Sequence, residues 1–212
     1  MIATYDQAKA RALFLRISQR STWQVPTLVW TEANSRTDDP NLEADPRLKY
    51  VPAAVRAEWN PAKLREGTSP EELAGLKTEA ARALELVKAM HEAGVPFLAG
   101  SDGPDPYVFP GFSLHDEFEW LVKSGFTPFQ ALQAATFNPA LFLGKLEDYG
   151  VVEKGRVADL VLLDANPLQD VGNTRRIFAV VVGGKYYSRE ALDAMLQQVE
   201  KLAGSNEPVG TR

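Results

Sequence analysis

The chain has no cysteine and only two histidines, His91 and His115, in 212 residues. Without cysteine there are no disulfides, thiolate zinc sites, iron–sulfur clusters or cysteine nucleophiles. The two histidines lie 24 positions apart on different predicted elements, which is no metal-ligand spacing. No stretch approaches ~18 uncharged apolar residues, so a membrane span is not expected. The N-terminal residues MIATYDQAKARALFLRISQR lack the apolar h-region of a secretory signal, which leaves the cytoplasm as the default compartment. Basic residues are not in excess: 23 Lys and Arg face 28 Asp and Glu, a net charge of −5. No basic stripe interrupts that balance, which excludes a nucleic-acid partner held by phosphate contacts.

What the sequence does contain is enough apolar material for a core. Hydrophobic residues make up 45% and charged residues 24%, the mix of an ordinary globular protein. Apolar residues at near-helical spacing predict a helix from Ala3 to about Arg20. VPTLVW (Val25–Trp30) and VPFLAG (Val95–Gly100) are short apolar runs that predict buried strands. Between them lies a polar stretch from Thr31 to Tyr50 with Pro40 and Pro46, which predicts a long surface loop and a candidate substrate lid. Ser69-Pro70-Glu71-Glu72 predicts a capped helix start: Ser69 as N-cap, Pro70 in the first turn, Glu72 as capping-box partner. That helix runs to about Glu92 and stops at Gly94. Further helices are expected at Pro52–Asn60, Ser113–Lys123, Pro128–Thr136 and Pro139–Leu143, the last with Asn138 as its cap. After Gly150 two β runs follow, Val157–Asp164 and Ile177–Ser188, the second turned back by Gly183-Gly184, then a terminal helix and a frayed tail of ten residues.

A few residues carry possible chemistry. Asp102 ends the second apolar run, where parallel barrels keep their active sites, although by motif alone an aspartate closing a turn beside Gly103-Pro104 is the plainer reading. His115 stands near the start of the helix after that run, with Ser113 as the expected N-cap; it could touch substrate, though a plain polar residue at a helix start is the favoured reading. His91 falls in the last turn of the long helix, where a cation suits the dipole, and reads as structural. Ser101, within AGSDG, is close to a nucleophile elbow, but the elbow must run directly into a helix, and Pro104 and Pro106 intervene.

HEAGVPFLAGSDGP, FSLHDEFEWLVKSGFTPFQALQAATFNPALFLG and YGVVEKGRVADLVLLDANPLQD resemble the amidohydrolase superfamily, in particular its imidazolonepropionase-like members. The resemblance runs from about Val25 to Lys185. It implies an α/β fold: the C-terminal part of a (β/α)₈ barrel, strands seven and eight with their helices, plus strands of a small β-sandwich. The expected divisions are 1–150 for the barrel part, 151–188 for sandwich strands and 189–212 for the terminal helix and tail. It also implies a hydrolase of carbon–nitrogen bonds other than main-chain peptide bonds, with zinc or a similar divalent ion activating water. Asp102 would be the catalytic proton shuttle and a metal ligand, and His115 a substrate-binding residue. The family's HxH pair, its metal-bridging lysine and two further histidines are not matched here, so the chain is expected to bind no metal alone. A complete barrel takes roughly 250 residues. The expectation is therefore a portion of a larger enzyme that acts on a small molecule and pairs with its missing N-terminal half or with itself. The alternative is a non-catalytic unit that needs a partner chain.

Overall fold

The computed structural model describes residues 5–205. Nine α-helices and three strands are found among them, in the order α1 (Gln7–Gln19), α2 (Leu28–Ser35), α3 (Ala53–Glu58), α4 (Pro61–Leu64), α5 (Pro70–Glu92), α6 (Ser113–Lys123), α7 (Pro128–Ala135), α8 (Phe137–Phe142), β1 (Leu160–Leu163), β2 (Ile177–Val182), β3 (Lys185–Tyr187) and α9 (Arg189–Gly204). The first helix starts at Gln7, where Asp6 caps it by accepting the N–H groups of Ala8 and Lys9; Ala3, its expected start, lies outside the described residues. The expected tail, residues 203–212, opens inside α9, and 206–212 lie outside the described residues.

Local signals formed as the sequence predicts. Ser69 and Glu72 make the reciprocal capping box at the start of α5, with Pro70 in its first turn. Thr127 and Gln130 make a second box on α7. Gly94 follows α5 with φ +75°, a left-handed position that glycine takes without cost. β1, β2 and β3 form one antiparallel sheet in that order, and Gly183-Gly184 turns β2 into β3.

The two apolar runs behave differently from expectation. Val25–Trp30 is not a strand: the chain turns at Thr27, in a left-handed conformation, and enters α2 at Leu28. The pairing between the runs is one parallel bridge, Gln24 with Phe97. Gln24 donates to the Pro96 carbonyl at 3.0 Å and accepts from the Leu98 N–H at 2.9 Å. Prolines end the ladder on both sides. The next bonds would need the N–H of Pro26 and of Pro96, and proline has none. Side by side the runs remain: a Cβ on Gly100 would lie 2.6 Å from Val25 Cγ1.

Two apolar clusters result. One joins α1, α5, α6 and α7 through Phe14, Val87, Phe97, Phe118, Leu121 and Phe126. The other gathers Val29, Leu42, Val51, Trp59, Tyr107, Val108 and Phe109. The stretch expected as an overhanging loop belongs to this second cluster. α2 occupies its first residues, two 3₁₀ turns (Leu42–Ala44 and Pro46–Tyr50) its last, and Leu42 is buried. Its polar composition hid one large apolar anchor, and burial of that anchor ties the stretch down.

Candidate functional site

Asp102 sits in the loop that leaves the second apolar run. It is exposed and adopts φ +55°, a conformation that costs most residues but that aspartate tolerates in turns. Packing at both flanks holds the loop. On one flank, Ala99 donates to the Ala134 carbonyl at the end of α7 at 2.8 Å. On the other, Tyr107, Val108 and Phe109 are buried, and the Phe109 N–H donates to Ser113 Oγ at 2.8 Å. The Trp30 indole N–H donates to the Asp105 carboxylate, which fastens the middle of the loop to α2. Ser113 is thus a buried acceptor for the loop and not the helix cap expected; Phe112 takes the cap position with no side-chain bond. Asn138 also does other work, since its Nδ2 donates to the Phe97 carbonyl at 2.8 Å and ties α8 to the extended segment.

His115 is half-buried on α6 and lines a cleft of about 730 Å³ between α6, β2 and α9. The floor is apolar, with Phe112, Ile177, Val180, Leu192 and Met195. A charged rim faces it: Asp116 accepts from Arg47 at 2.5 Å and from Arg175 at 2.6 Å, while Arg47 also grips Asp45 and Arg175 also grips Glu119. Each guanidinium is shared between two carboxylates. Against the burial that would raise it, the hydrogen bonds from Arg47 hold the Asp45 carboxyl below its usual range.

The tautomer of His115 follows from its neighbour. Thr174 Oγ1 donates its single proton to the Val171 carbonyl at 2.8 Å, so the contact between His115 Nδ1 and Thr174 Oγ1, at 3.0 Å, needs the proton on Nδ1. Burial, with the nearby Arg175 charge, lowers the His115 pKa and keeps the ring neutral. Nε2 therefore carries an available lone pair. Asp102 is not among the residues that line this cleft, so the structure does not bring the two predicted site residues into one cavity.

His91 stacks on Phe126 with ring centroids 3.8 Å apart, and burial lowers its pKa. It acts as a neutral packing residue; the helix-dipole cation expected from its position is replaced by a stacked ring.

Sequence reasoning missed Glu117. It lies fully buried on α6, and Oε2 accepts the N–H of Val29 at 2.8 Å, in the first turn of α2. Its other oxygen, Oε1, is buried without a partner. Burial pushes its pKa up to about 7, opposed by hydrogen bonds from Val29 and Leu28. One signal pointed to it: Glu117 falls on the same helical face as Ser113, Leu114 and Leu121, a charged residue within an apolar stripe.

Among the described residues no group of three or more histidine, aspartate or glutamate side chains is placed to hold a metal ion. The residues present thus do not fit the divalent ion that the resemblance implies, and Asp102 would be at most one donor to it. Nor, among the same residues, is any helix long and apolar enough to cross a membrane.

The amidohydrolase family model matches residues 62–187, more than half of the chain and a span that holds Asp102, His115 and Glu117. Imidazolonepropionase of Shouchella clausii is 35% identical over 145 residues, covering 65% of this chain and 30% of that protein. Ochratoxinase of Aspergillus niger is 31% identical over 127 residues, covering 58% and 25%. Among solved structures, a bottromycin amidohydrolase superposes with a TM-score of 0.66 at 27% identity, covering 86% of this chain and 40% of its own. The chain thus spans 30% or less of the length of these curated relatives.

Proposed function

Since the chain belongs to the amidohydrolase family, we propose that it serves hydrolysis of carbon–nitrogen bonds other than main-chain peptide bonds, with Asp102 as the proton-transfer group. The family match over 62–187 is the observation that carries this reading. Asp102 is exposed at the end of the extended segment, so water and a substrate can reach it. Its carboxylate takes a proton from the attacking water as the oxygen bonds to the carbonyl carbon. It returns that proton to the nitrogen as the carbon–nitrogen bond breaks. The cleft beside His115 would take a non-reacting portion of a small-molecule substrate, its apolar part on Phe112 and Met195 and a donor group on His115 Nε2. Zinc or a similar divalent ion is the group proposed for the whole enzyme, its remaining donors supplied from outside the described residues.

Two measurements test this. The purified chain, analysed by elemental mass spectrometry after gel filtration, should carry far less than one equivalent of zinc. Stoichiometric zinc that Asp102→Ala removes would show a site assembled by this chain and overturn that division of labour. Where the remaining donors are joined to it, Asp102→Asn should abolish amide hydrolysis and leave the melting temperature unchanged; retained hydrolysis would end the proton-shuttle assignment.

A second reading concerns partners. Val161, Phe178, Val182 and Tyr186 on the three-stranded sheet are each more than half exposed, and among the described residues the β1 edge is unpaired. Open edges and apolar patches of this kind favour pairing. We expect the chain to self-associate or to pair with a segment that supplies further strands. Light scattering across a dilution series should show the mass falling toward one chain, and Val161→Lys with Phe178→Lys should yield a monomer at every concentration. A wild-type chain already monomeric throughout would refute self-association.

A further inference from the structure

We propose that Glu117 is a positioning residue: its carboxylate caps the first turn of α2, and α2 in turn holds the loop that carries Asp102. The inference rests on the proposed role of Asp102 only for its catalytic consequence; the coupling itself is a property of this chain.

The first turn of a helix leaves N–H groups without partners, and they are ordinarily met by the residue preceding the helix. In α2 that residue cannot do so. Thr27 is left-handed and makes no side-chain cap bond. The cap comes instead from 88 positions away, as Glu117 Oε2 accepts from Val29 at 2.8 Å. A negative charge at this end of a helix is also favoured by its dipole. Glu117 itself is wholly buried.

The place of this contact gives it reach. Leu28 packs into the cluster of α5, α6 and α7, while Val29 packs into the cluster of Trp59, Tyr107 and Phe109. Glu117 therefore pins the seam between the two apolar clusters. One residue further on, Trp30 donates its indole N–H to Asp105, three positions beyond Asp102. The relay reads Glu117, α2, Trp30, Asp105, Asp102. The last two lie in one short loop whose far flank, Val108, donates back to the Asp105 carbonyl at 2.8 Å.

Amide hydrogen exchange with indole N–H spectroscopy tests this without any enzymatic assay. Glu117→Ala should speed exchange at Leu28 and Val29 by about tenfold or more, speed it across residues 101–108, and shift the Trp30 indole signal. Glu117→Gln keeps an acceptor oxygen and should restore protection at all three places. Trp30→Phe breaks only the later link: it should loosen 101–108 while Leu28 and Val29 stay protected. This variant keeps the test decisive should the alanine variant fail to fold. Unchanged exchange across 101–108 in Trp30→Phe, or in a folded Glu117→Ala, would overturn the relay. Loss of hydrolysis in Asp102→Asn bears on the functional reading alone, so the two fail separately.

Discussion

Phe109→Ala is expected to lower stability by about 3–5 kcal/mol, the range for removing a buried aromatic side chain. At this chain length that corresponds to a fall of roughly 10 °C in melting temperature. Phe109 is 2% exposed and sits at the centre of the second cluster. Trp59 meets it edge-on at 5.6 Å and Tyr107 lies at 6.4 Å, while the Arg47 guanidinium lies over its ring at 4.4 Å. Truncation therefore removes an apolar contact and the aromatic support of a guanidinium that organises Asp45 and Asp116. Trp59 should then meet water, with a red shift of its emission at temperatures where α5 is still helical. Phe109→Leu keeps much of the volume and should lose less than half as much. A melting temperature within about 1 °C of wild type in the alanine variant would mean that this cluster does not stabilise the chain.

Glu117→Gln should make the chain more stable at pH 8 and leave it nearly unchanged at pH 4.5. The sign follows from linkage. Burial raises the folded-state pKa of Glu117 from 4.5 to about 7, so between those values the folded chain holds a proton that the unfolded chain has lost. Stability then falls as pH rises through that window and levels off above it. A shift of this size corresponds to at most about 3–4 kcal/mol, at 1.36 kcal/mol per pH unit. His91 and His115 act in the opposite sense, because burial lowers both pKa values and their contribution is lost as pH falls below about 6.5. They are present in both proteins, so the difference between wild type and Glu117→Gln isolates the carboxyl. Chemical denaturation at half-unit pH steps measures it. A difference that stays flat from pH 4.5 to 8 would show that Glu117 titrates alike in both states.

A buried carboxyl that costs stability at neutral pH needs a compensating reason for its place. The cap on α2 is that reason: the helix dipole and two backbone donors stabilise the charge, and burial resists it. This balance separates Glu117 from Asp116 beside it, whose charge is neutralised by Arg47 and Arg175 at the rim of the cleft.

Local chemistry was legible in the amino acids themselves. The capping box of α5, the bounds of α6, the turn at Gly183-Gly184 and the sheet after Gly150 each depend on neighbours within a few positions. Family membership was legible for the same reason, since the stretch from Ala131 to Asp170 carries its pattern in contiguous residues. Tertiary structure alone decided the rest. Apolar content made Val25–Trp30 look like a strand, but two prolines withhold the N–H groups that a parallel ladder requires, and the chain becomes a helix instead. Polar content made Thr31–Tyr50 look like an open lid, but buried Leu42 closes it onto the core. Glu117 looked like one more acidic residue on a helix, and only a partner 88 positions away made it a cap. Periodicity reports what a residue's near neighbours allow; which distant group meets a buried donor is settled by packing, where an unmet N–H costs too much to leave alone.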